Sequence, residues 1–148
     1  MKTGDIAPNF EILLVDERKV ELYELLKNGP VVLNFIMGTW CPFCTNHLKK
    51  VRQWQEKLSK KTTMIIISSE HYLKLQSWSK KNQTSYLYAS DPELEVIKLY
   101  EAKNLLLNTA TPVTVLIDTD KTIKIYFNGI RNKSSRDNLI NKICKTCS

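Results

Sequence analysis

The sequence predicts an α/β fold in which helices flank a mixed central β-sheet. Apolar runs of strand length alternate with helical patterns, which indicates parallel strands joined by right-handed crossovers. The near-continuous apolar run at 31–37 suits a central strand that is covered on both faces. Two later runs, at 113–118 and 122–128, are separated by a hairpin-sized turn and should pair antiparallel. Because no linker or repeat interrupts the pattern, residues 1–148 are predicted to form one domain.

Turn-forming and helix-capping residues set the boundaries of the predicted elements. Asn28-Gly29-Pro30 ends the first helix, because Asn and Gly tolerate a left-handed backbone and Pro cannot continue the helix. Pro42 suits the first position of a helix, Asp91 an N-cap before Pro92, and Ser134 the N-cap of the last helix. In chain order the predicted elements are strand 10–15, helix 21–26, strand 31–37, helix 42–58, strand 63–68, helix 70–82, strand 85–89, helix 92–102, strands 113–118 and 122–128, and helix 134–146.

Apolar side chains outside the strands predict two smaller packing features. In helix 70–82, helical spacing turns Tyr72, Leu75 and Trp78 inward. In the polar loop 103–111, we expect the three leucines 105–107 to form an apolar core.

Composition indicates an ordinary globular protein with excess positive charge. Hydrophobic residues make up 43% and charged residues 25% of the 148 residues, which argues against disorder. The net charge of +7 comes mostly from dispersed lysines, which suggests solvated helix faces and a mild preference for acidic partners rather than a nucleic-acid site. No apolar run has transmembrane length, and no signal peptide is recognisable. We therefore expect a cytoplasmic protein that binds neither nucleic acid nor membrane; a periplasmic or extracytoplasmic location would follow if a leader had been removed.

Four cysteines form two C-x-x-C pairs, Cys41/Cys44 and Cys144/Cys147. A chain of this length can fold on its hydrophobic core alone, so such pairs indicate redox chemistry or metal binding before structural disulfides. The second pair leaves three alternatives open. It could be a structural feature of the last helix, a relay of electrons to the first pair, or half of a four-cysteine zinc site. The wide separation of the pairs does not match common zinc spacing, so we predict neither a metal nor a cofactor.

The first pair has the features that disulfide exchange requires, namely a thiolate, a second thiol within reach and an exposed position. Cys41 falls at the predicted helix N-cap, where the helix dipole and the unpaired amides, including those of Phe43 and Cys44, favour a negative sulfur. Cys44 lies one turn further, on the buried stripe. We therefore expect Cys41 to attack and Cys44 to resolve, with Trp40 and Phe43 as an apolar rim that docks the partner. Inert core cysteines or half of a zinc site are the alternatives.

Segment 34–44, Asn-Phe-Ile-Met-Gly-Thr-Trp-Cys-Pro-Phe-Cys, resembles the active-site segment of the redoxin branch of the thioredoxin superfamily. That branch includes peroxiredoxin-like proteins and thioredoxin-like reductases related to cytochrome-maturation factors. Segments 4–10, 90–93 and 111–118 resemble other parts of the same branch. The resemblance implies a thioredoxin fold with an N-terminal extension of the redoxin type, in agreement with the predicted mixed sheet.

The resemblance also implies a substrate-binding surface around the two cysteines. Pro112 would be cis and would face the Cys41–Cys44 turn, and Thr111 would offer its backbone to the partner chain. The residues implied for substrate binding are Trp40, Pro42, Phe43, Thr111 and Pro112.

The chain departs from the redoxin pattern at positions that matter for chemistry. Peroxiredoxins carry a Thr three residues before the peroxidatic Cys and a Pro four residues before that Thr, where this chain has Gly38 and Asn34. Thr39 lies one place too late, and no supporting arginine is identifiable beyond Arg52 and Arg131 as guesses. Thioredoxins also commonly bury an acid beneath the resolving Cys, whereas the corresponding strand here carries Asn34, which cannot accept a proton. A water molecule or Glu11 could serve instead.

We therefore expect a thiol–disulfide oxidoreductase in which Cys41 attacks a disulfide and Cys44 resolves the mixed disulfide. One alternative is a thiol peroxidase, a peroxiredoxin-like antioxidant enzyme in which Cys41 becomes a sulfenic acid and Cys44 condenses with it. The other is a non-catalytic redox sensor or binding module. The expected partners are a protein or small-molecule disulfide and a thiol reductant, and we expect a monomer or a weak dimer.

Overall fold

A computed structural model of the protein describes residues 1–40, 62–81, 87–129 and 141. The four cysteines, the predicted helix 42–58 and nearly all of the predicted helix 134–146 lie outside the described residues. The same holds for Pro42, Phe43, Arg52 and Arg131. Predictions about these residues remain predictions below.

The described strands and helices follow the predicted alternation. Within the central run at 31–37, Val31–Phe35 forms a strand whose residues are all buried, as a strand covered on both faces requires. In chain order the elements are β1 (Glu11–Leu14), β2 (Lys19–Glu21), α1 (Leu22–Leu26), β3 (Val31–Phe35), β4 (Thr63–Ser68), α2 (Tyr72–Lys81), β5 (Leu87–Ser90), α3 (Glu95–Leu99), β6 (Val113–Ile117) and β7 (Ile123–Asn128).

The described strands form one mixed sheet in the order β2-β1-β5-β4-β3-β6-β7. Strands β3, β4 and β5 are parallel, as the alternation of strands and helices in the sequence predicts. Strand β6 pairs antiparallel with β3, and β7 returns antiparallel to β6 across the predicted hairpin. At the other edge, β1 pairs antiparallel with β5 and forms a hairpin with β2, a strand that sequence reasoning missed. The predicted α/β class with a mixed sheet is confirmed.

Tyr100 ties the N-terminal segment to the core. Its ring is fully buried and lies edge-on to Phe10, with ring centroids 5.6 Å apart, and 5.8 Å from the ring of Phe35 on β3. Its hydroxyl donates a hydrogen bond to the Pro8 carbonyl oxygen at 2.6 Å. Burial raises the pKa of Tyr100, so the hydroxyl keeps its proton and remains a donor. One side chain therefore joins the segment before β1, the end of α3 and the central strand.

Helix α3 begins later than the sequence predicts. Asp91 was expected to be its N-cap, but Asp91 and Pro92 lie in a turn and the helix starts at Glu95, after Leu94 in a left-handed conformation (φ 60°). The Asp91 carboxylate still satisfies the helix amides, accepting from Glu95 N–H at 3.1 Å and Ile97 N–H at 2.8 Å. Burial raises the pKa of Asp91, and these backbone hydrogen bonds oppose the shift. The predicted capping residue is correct, but it acts from outside the helix.

The side-chain packing predictions have mixed outcomes. In α2, Leu75 is fully buried, whereas Tyr72 and Trp78 are only partly buried. The prediction that the leucines 105–107 form a loop core is wrong, because Leu105 is 97% and Leu106 92% exposed. A bridge between residues 103 and 110 closes the base of this loop, and Asn104 Oδ1 accepts the N–H groups of residues 106 and 107. This side-chain cap satisfies the backbone without burying the leucines, which project from the tip.

Candidate active site

The segment that leads to Cys41 leaves the sheet at the carboxyl end of β3. Ile36 N–H still donates to the Ile67 carbonyl oxygen at 3.0 Å, so the chain follows β4 for one residue beyond the strand. The turn then reaches Thr39 and Trp40, the residue directly before Cys41. Ligands of open α/β sheets bind in crevices outside the carboxyl ends of parallel strands, and Trp40, the last described residue before the C-x-x-C motif, follows such an edge.

Glu70, just past the end of β4, holds this turn through two hydrogen bonds. Its carboxylate accepts from Thr39 N–H at 2.6 Å and from Thr39 Oγ1 at 2.8 Å, one bond to each oxygen. Ser68 Oγ donates to the same carboxylate at 3.0 Å, and Lys74 Nζ lies 3.2 Å from it. The Glu70 side chain is only 7% exposed. Sequence reasoning missed this residue, although an acid directly after a central strand, beside the strand that ends at the motif, was a usable signal.

Trp40 and Gly38 pack against each other at the exposed end of the turn. Trp40 is 53% exposed, and its role as a rim residue stays a prediction. A Cβ atom added to Gly38 would lie 2.3 Å from Trp40 Nε1, closer than real contacts allow. The indole therefore rests on the bare α-carbon of Gly38, which gives a packing reason for glycine where peroxiredoxins carry Thr.

Thr111 and Pro112 lie at the same end of the sheet. Pro112 directly precedes Val113, whose register partner is Phe35, the last residue of β3. The prediction of a cis bond before Pro112 is wrong: no cis peptide bond occurs among the described residues. The bond is trans, the form that X–Pro bonds intrinsically prefer. Thr111 N–H donates to the Ala102 carbonyl oxygen, and the Pro112 carbonyl oxygen accepts from Gly129 N–H, both at 2.6 Å. The structure thus brings this segment to the candidate site in another backbone form than expected.

Asn34 is a buried polar residue on β3, the strand that was compared above with the acid-bearing strand of thioredoxins. It is 1% exposed, accepts from Thr114 Oγ1 at 2.8 Å and donates to Met64 Sδ at 3.4 Å. Because both ends of its amide have partners on neighbouring strands, Asn34 is a satisfied buried polar group. The suggestion that Glu11 replaces the missing acid is wrong: Glu11 lies on β1, separated from β3 by β5 and β4, and its side chain is exposed beside Lys19.

The described part of the chain contains no group of three or more His, Cys, Asp or Glu side chains arranged to hold a metal ion. None of its helices is long and apolar enough to cross a membrane.

Comparisons with known proteins give a consistent result. The AhpC/TSA family model matches residues 3–126. The thiol-disulfide oxidoreductase ResA of Bacillus thuringiensis is 28% identical over 145 residues, covering 97% of this chain and 79% of that protein. A putative peroxiredoxin of Mycobacterium tuberculosis is 29% identical over 127 residues, covering 83% of this chain and 82% of that protein.

Solved structures show the same fold at lower identity. The peroxidoxin BcpB from Mycobacterium tuberculosis superposes with a TM-score of 0.84 at 23% identity, covering 100% of this chain and 99% of that one. A peroxiredoxin-like protein from Aquifex aeolicus has a TM-score of 0.83 at 16% identity, with coverages of 98% and 87%. The described sheet is therefore the sheet of the peroxiredoxin-type thioredoxin fold.

Proposed function

Because the chain belongs to the AhpC/TSA family, a family of thiol-based redox enzymes, we propose that it is a thiol–disulfide oxidoreductase whose working pair is Cys41 and Cys44. One observation carries the proposal. The C-x-x-C motif follows directly on a turn that Glu70 anchors at the carboxyl end of the central strands. A relative that matches 97% of this chain is named a thiol-disulfide oxidoreductase.

The proposed reaction transfers two electrons from the cysteine pair to a disulfide. The Cys41 thiolate attacks one substrate sulfur, the substrate S–S bond breaks, and the departing thiolate takes up a proton. The Cys44 thiolate then attacks the Cys41 sulfur in the mixed disulfide and releases the second substrate thiol. The substrate leaves as two thiols and the enzyme as the Cys41–Cys44 disulfide, which a thiol reductant returns to the dithiol.

The remaining features of the proposal extend the sequence predictions. The substrate is a protein or small-molecule disulfide, docked by Trp40, Pro42 and Phe43 on one side and by Thr111 and Pro112 on the other. Cys144 and Cys147 relay electrons to the working pair or form part of the last helix. We retain a single domain over 1–148, a monomer or weak dimer and a cytoplasmic location as predictions, with an extracytoplasmic location as the alternative.

A thiol peroxidase is the second candidate function, because a relative with similar identity is a putative peroxiredoxin. One contact argues against efficient peroxide chemistry. A peroxidatic site must donate hydrogen bonds to the peroxide oxygens. In this chain the backbone N–H and the side-chain O–H of Thr39 both donate to Glu70. Gly38, at the position of the usual Thr, has no side chain to donate.

We therefore expect weak peroxidase activity. Hydrogen peroxide should oxidise the reduced protein at a rate close to that of a free thiolate, as measured by stopped-flow fluorescence. Insulin reduction, measured beside it on the same preparation, should be readily detectable. Peroxide oxidation far faster than a free thiolate, combined with negligible insulin reduction, would make the peroxidase the better assignment.

A further inference from the structure

We propose that Glu70 is a positioning residue for disulfide exchange, which fixes Thr39 and thereby the backbone that enters Cys41. This inference rests on the proposed function, since it concerns how the attacking thiol is presented. Glu70 does not need to touch a substrate in this role. It acts through the two hydrogen bonds that join its carboxylate to Thr39.

The two bonds to Thr39 fix different degrees of freedom. The bond from Thr39 N–H to Oε1, at 2.6 Å, orients the peptide plane between Gly38 and Thr39. The bond from Thr39 Oγ1 to Oε2, at 2.8 Å, fixes the rotamer of the same residue. A charge-assisted, two-point contact of this kind is stronger and more directional than a single neutral hydrogen bond. It holds the chain two residues before Cys41.

Capping of helix α2 does not explain where the carboxylate points. An acid just before a helix would ordinarily be assigned to the amides of the first turn. In this structure His71 Nδ1 accepts from Leu73 N–H at 3.2 Å and so occupies that role. The Glu70 carboxylate turns away from these amides toward Thr39, and of its partners in the described part of the chain (Thr39, Ser68 and Lys74) only Lys74 belongs to the helix.

The surroundings of Glu70 hold it ready for this contact. Ser68 Oγ accepts from Glu70 N–H at 3.2 Å and donates to the Glu70 carboxylate at 3.0 Å. Ser90 Oγ, at the end of β5, donates to the Glu70 carbonyl oxygen. Asp91 N–H in turn donates to the Ser68 carbonyl oxygen at 2.8 Å. The ends of two core strands therefore fix both the backbone and the side chain of Glu70.

The purpose of such rigidity follows from the geometry of exchange. The attacking sulfur must approach along the axis of the bond that breaks, so a small misplacement of the thiolate lowers the rate steeply. A nearly buried carboxylate has a desolvation cost that its hydrogen bonds must offset. Placing it beneath the turn before Cys41 is reasonable if holding that turn accelerates the reaction.

The test measures single attack at Cys41 in the full-length chain, with Cys44, Cys144 and Cys147 replaced by serine. The probe is a chromogenic aromatic disulfide, and the readout is the second-order rate constant. Glu70→Gln keeps the size of the side chain but presents only one acceptor to Thr39. Thr39→Val replaces the hydroxyl by a methyl group of similar size, whereas Thr39→Ser retains the hydroxyl. Glu93→Gln, a change at an exposed acid after β5, is the matched control.

We expect Glu70→Gln and Thr39→Val each to lower the rate about tenfold, and the double variant to fall no further than either single variant. Thr39→Ser and Glu93→Gln should stay within about twofold of the parent. Thermal unfolding of each variant confirms that the rate is measured on folded protein. Unchanged rates in both single variants would overturn the inference. So would a double variant whose rate falls about a hundredfold, because the two losses would then be independent. A loss in Thr39→Ser equal to that in Thr39→Val would also overturn it.

The same assay separates this inference from the proposed function. One outcome is that the parent reacts and its Cys41→Ser derivative does not, while the Glu70 and Thr39 variants react as fast as the parent. That outcome refutes only the role of Glu70. If the Cys41→Ser derivative reacts as fast as the parent, the assignment of Cys41 itself is refuted.

Discussion

Replacing Cys41 by serine should abolish disulfide reduction, lowering the steady-state rate of insulin reduction by on the order of a thousandfold or more. The nucleophile in exchange is the thiolate, and a serine hydroxyl neither ionises near neutral pH nor forms a disulfide. The loss should appear with any disulfide substrate, because it removes the bond-forming atom rather than a binding contact.

The Cys144→Ser/Cys147→Ser double variant is the matched control, since it also removes thiols but leaves the proposed working pair intact. It should keep single-turnover exchange at Cys41. If these two cysteines relay electrons, it should lose turnover only with the physiological electron donor. The chemistry would belong to the second pair if the Cys41→Ser protein kept about a tenth or more of the insulin-reduction rate while the double variant lost that activity. About a tenth is well above the residual rate expected of an enzyme without its nucleophile.

Tyr100→Ala should lower the free energy of unfolding by about 4 kcal/mol, a large part of the stability of a typical domain. The fully buried ring contacts Phe10 and Phe35, so its removal leaves a cavity between the N-terminal segment and the central strand. Removal of the hydroxyl also leaves the Pro8 carbonyl oxygen without this donor. Chemical denaturation followed by circular dichroism measures the difference.

Two matched variants separate the contribution of the Tyr100 ring to stability from that of its hydroxyl and from the effect of truncating a neighbouring side chain. Tyr100→Phe keeps the ring and should cost about 1 kcal/mol, the usual net value of one hydrogen bond. Leu99→Ala, at the neighbouring but 41% exposed position, should cost less than about 1 kcal/mol. If Tyr100→Ala were no more destabilising than Leu99→Ala, the ring would not be the link between the N-terminal segment and the core.

Local patterns in the sequence predicted much of the fold correctly. The bounds predicted for β4 match the structure, and those of β3 differ only at the carboxyl end, because uninterrupted apolar runs mark strands buried on both faces. The hairpin of β6 and β7 followed from the short turn between two apolar runs. The family resemblance, now confirmed by the AhpC/TSA match, rested on the residues around Cys41.

Two of the failures concern residues that are distant in the sequence. Glu70 and Thr39 are 31 positions apart, and only the parallel pairing of β3 with β4 brings them together. Glu11 failed as a proton acceptor because the sheet order places β1 beyond β5, which the chain order does not reveal. The burial predicted for leucines 105–107 is a local error. Apolar composition predicts burial, but Asn104 Oδ1 satisfies the N–H groups of residues 106 and 107 while the leucine side chains stay exposed.

The central claim is that Cys41 attacks the substrate and Cys44 resolves the intermediate, and trapping that intermediate tests it most directly. The Cys44→Ser and Cys41→Ser variants, both carrying serine at positions 144 and 147, are incubated with a disulfide substrate and examined by intact-protein mass spectrometry and peptide mapping. The account predicts a stable mixed disulfide on Cys41 in the Cys44→Ser protein and none in the Cys41→Ser protein. Equal trapping by both variants, or trapping on Cys44 alone, would contradict it.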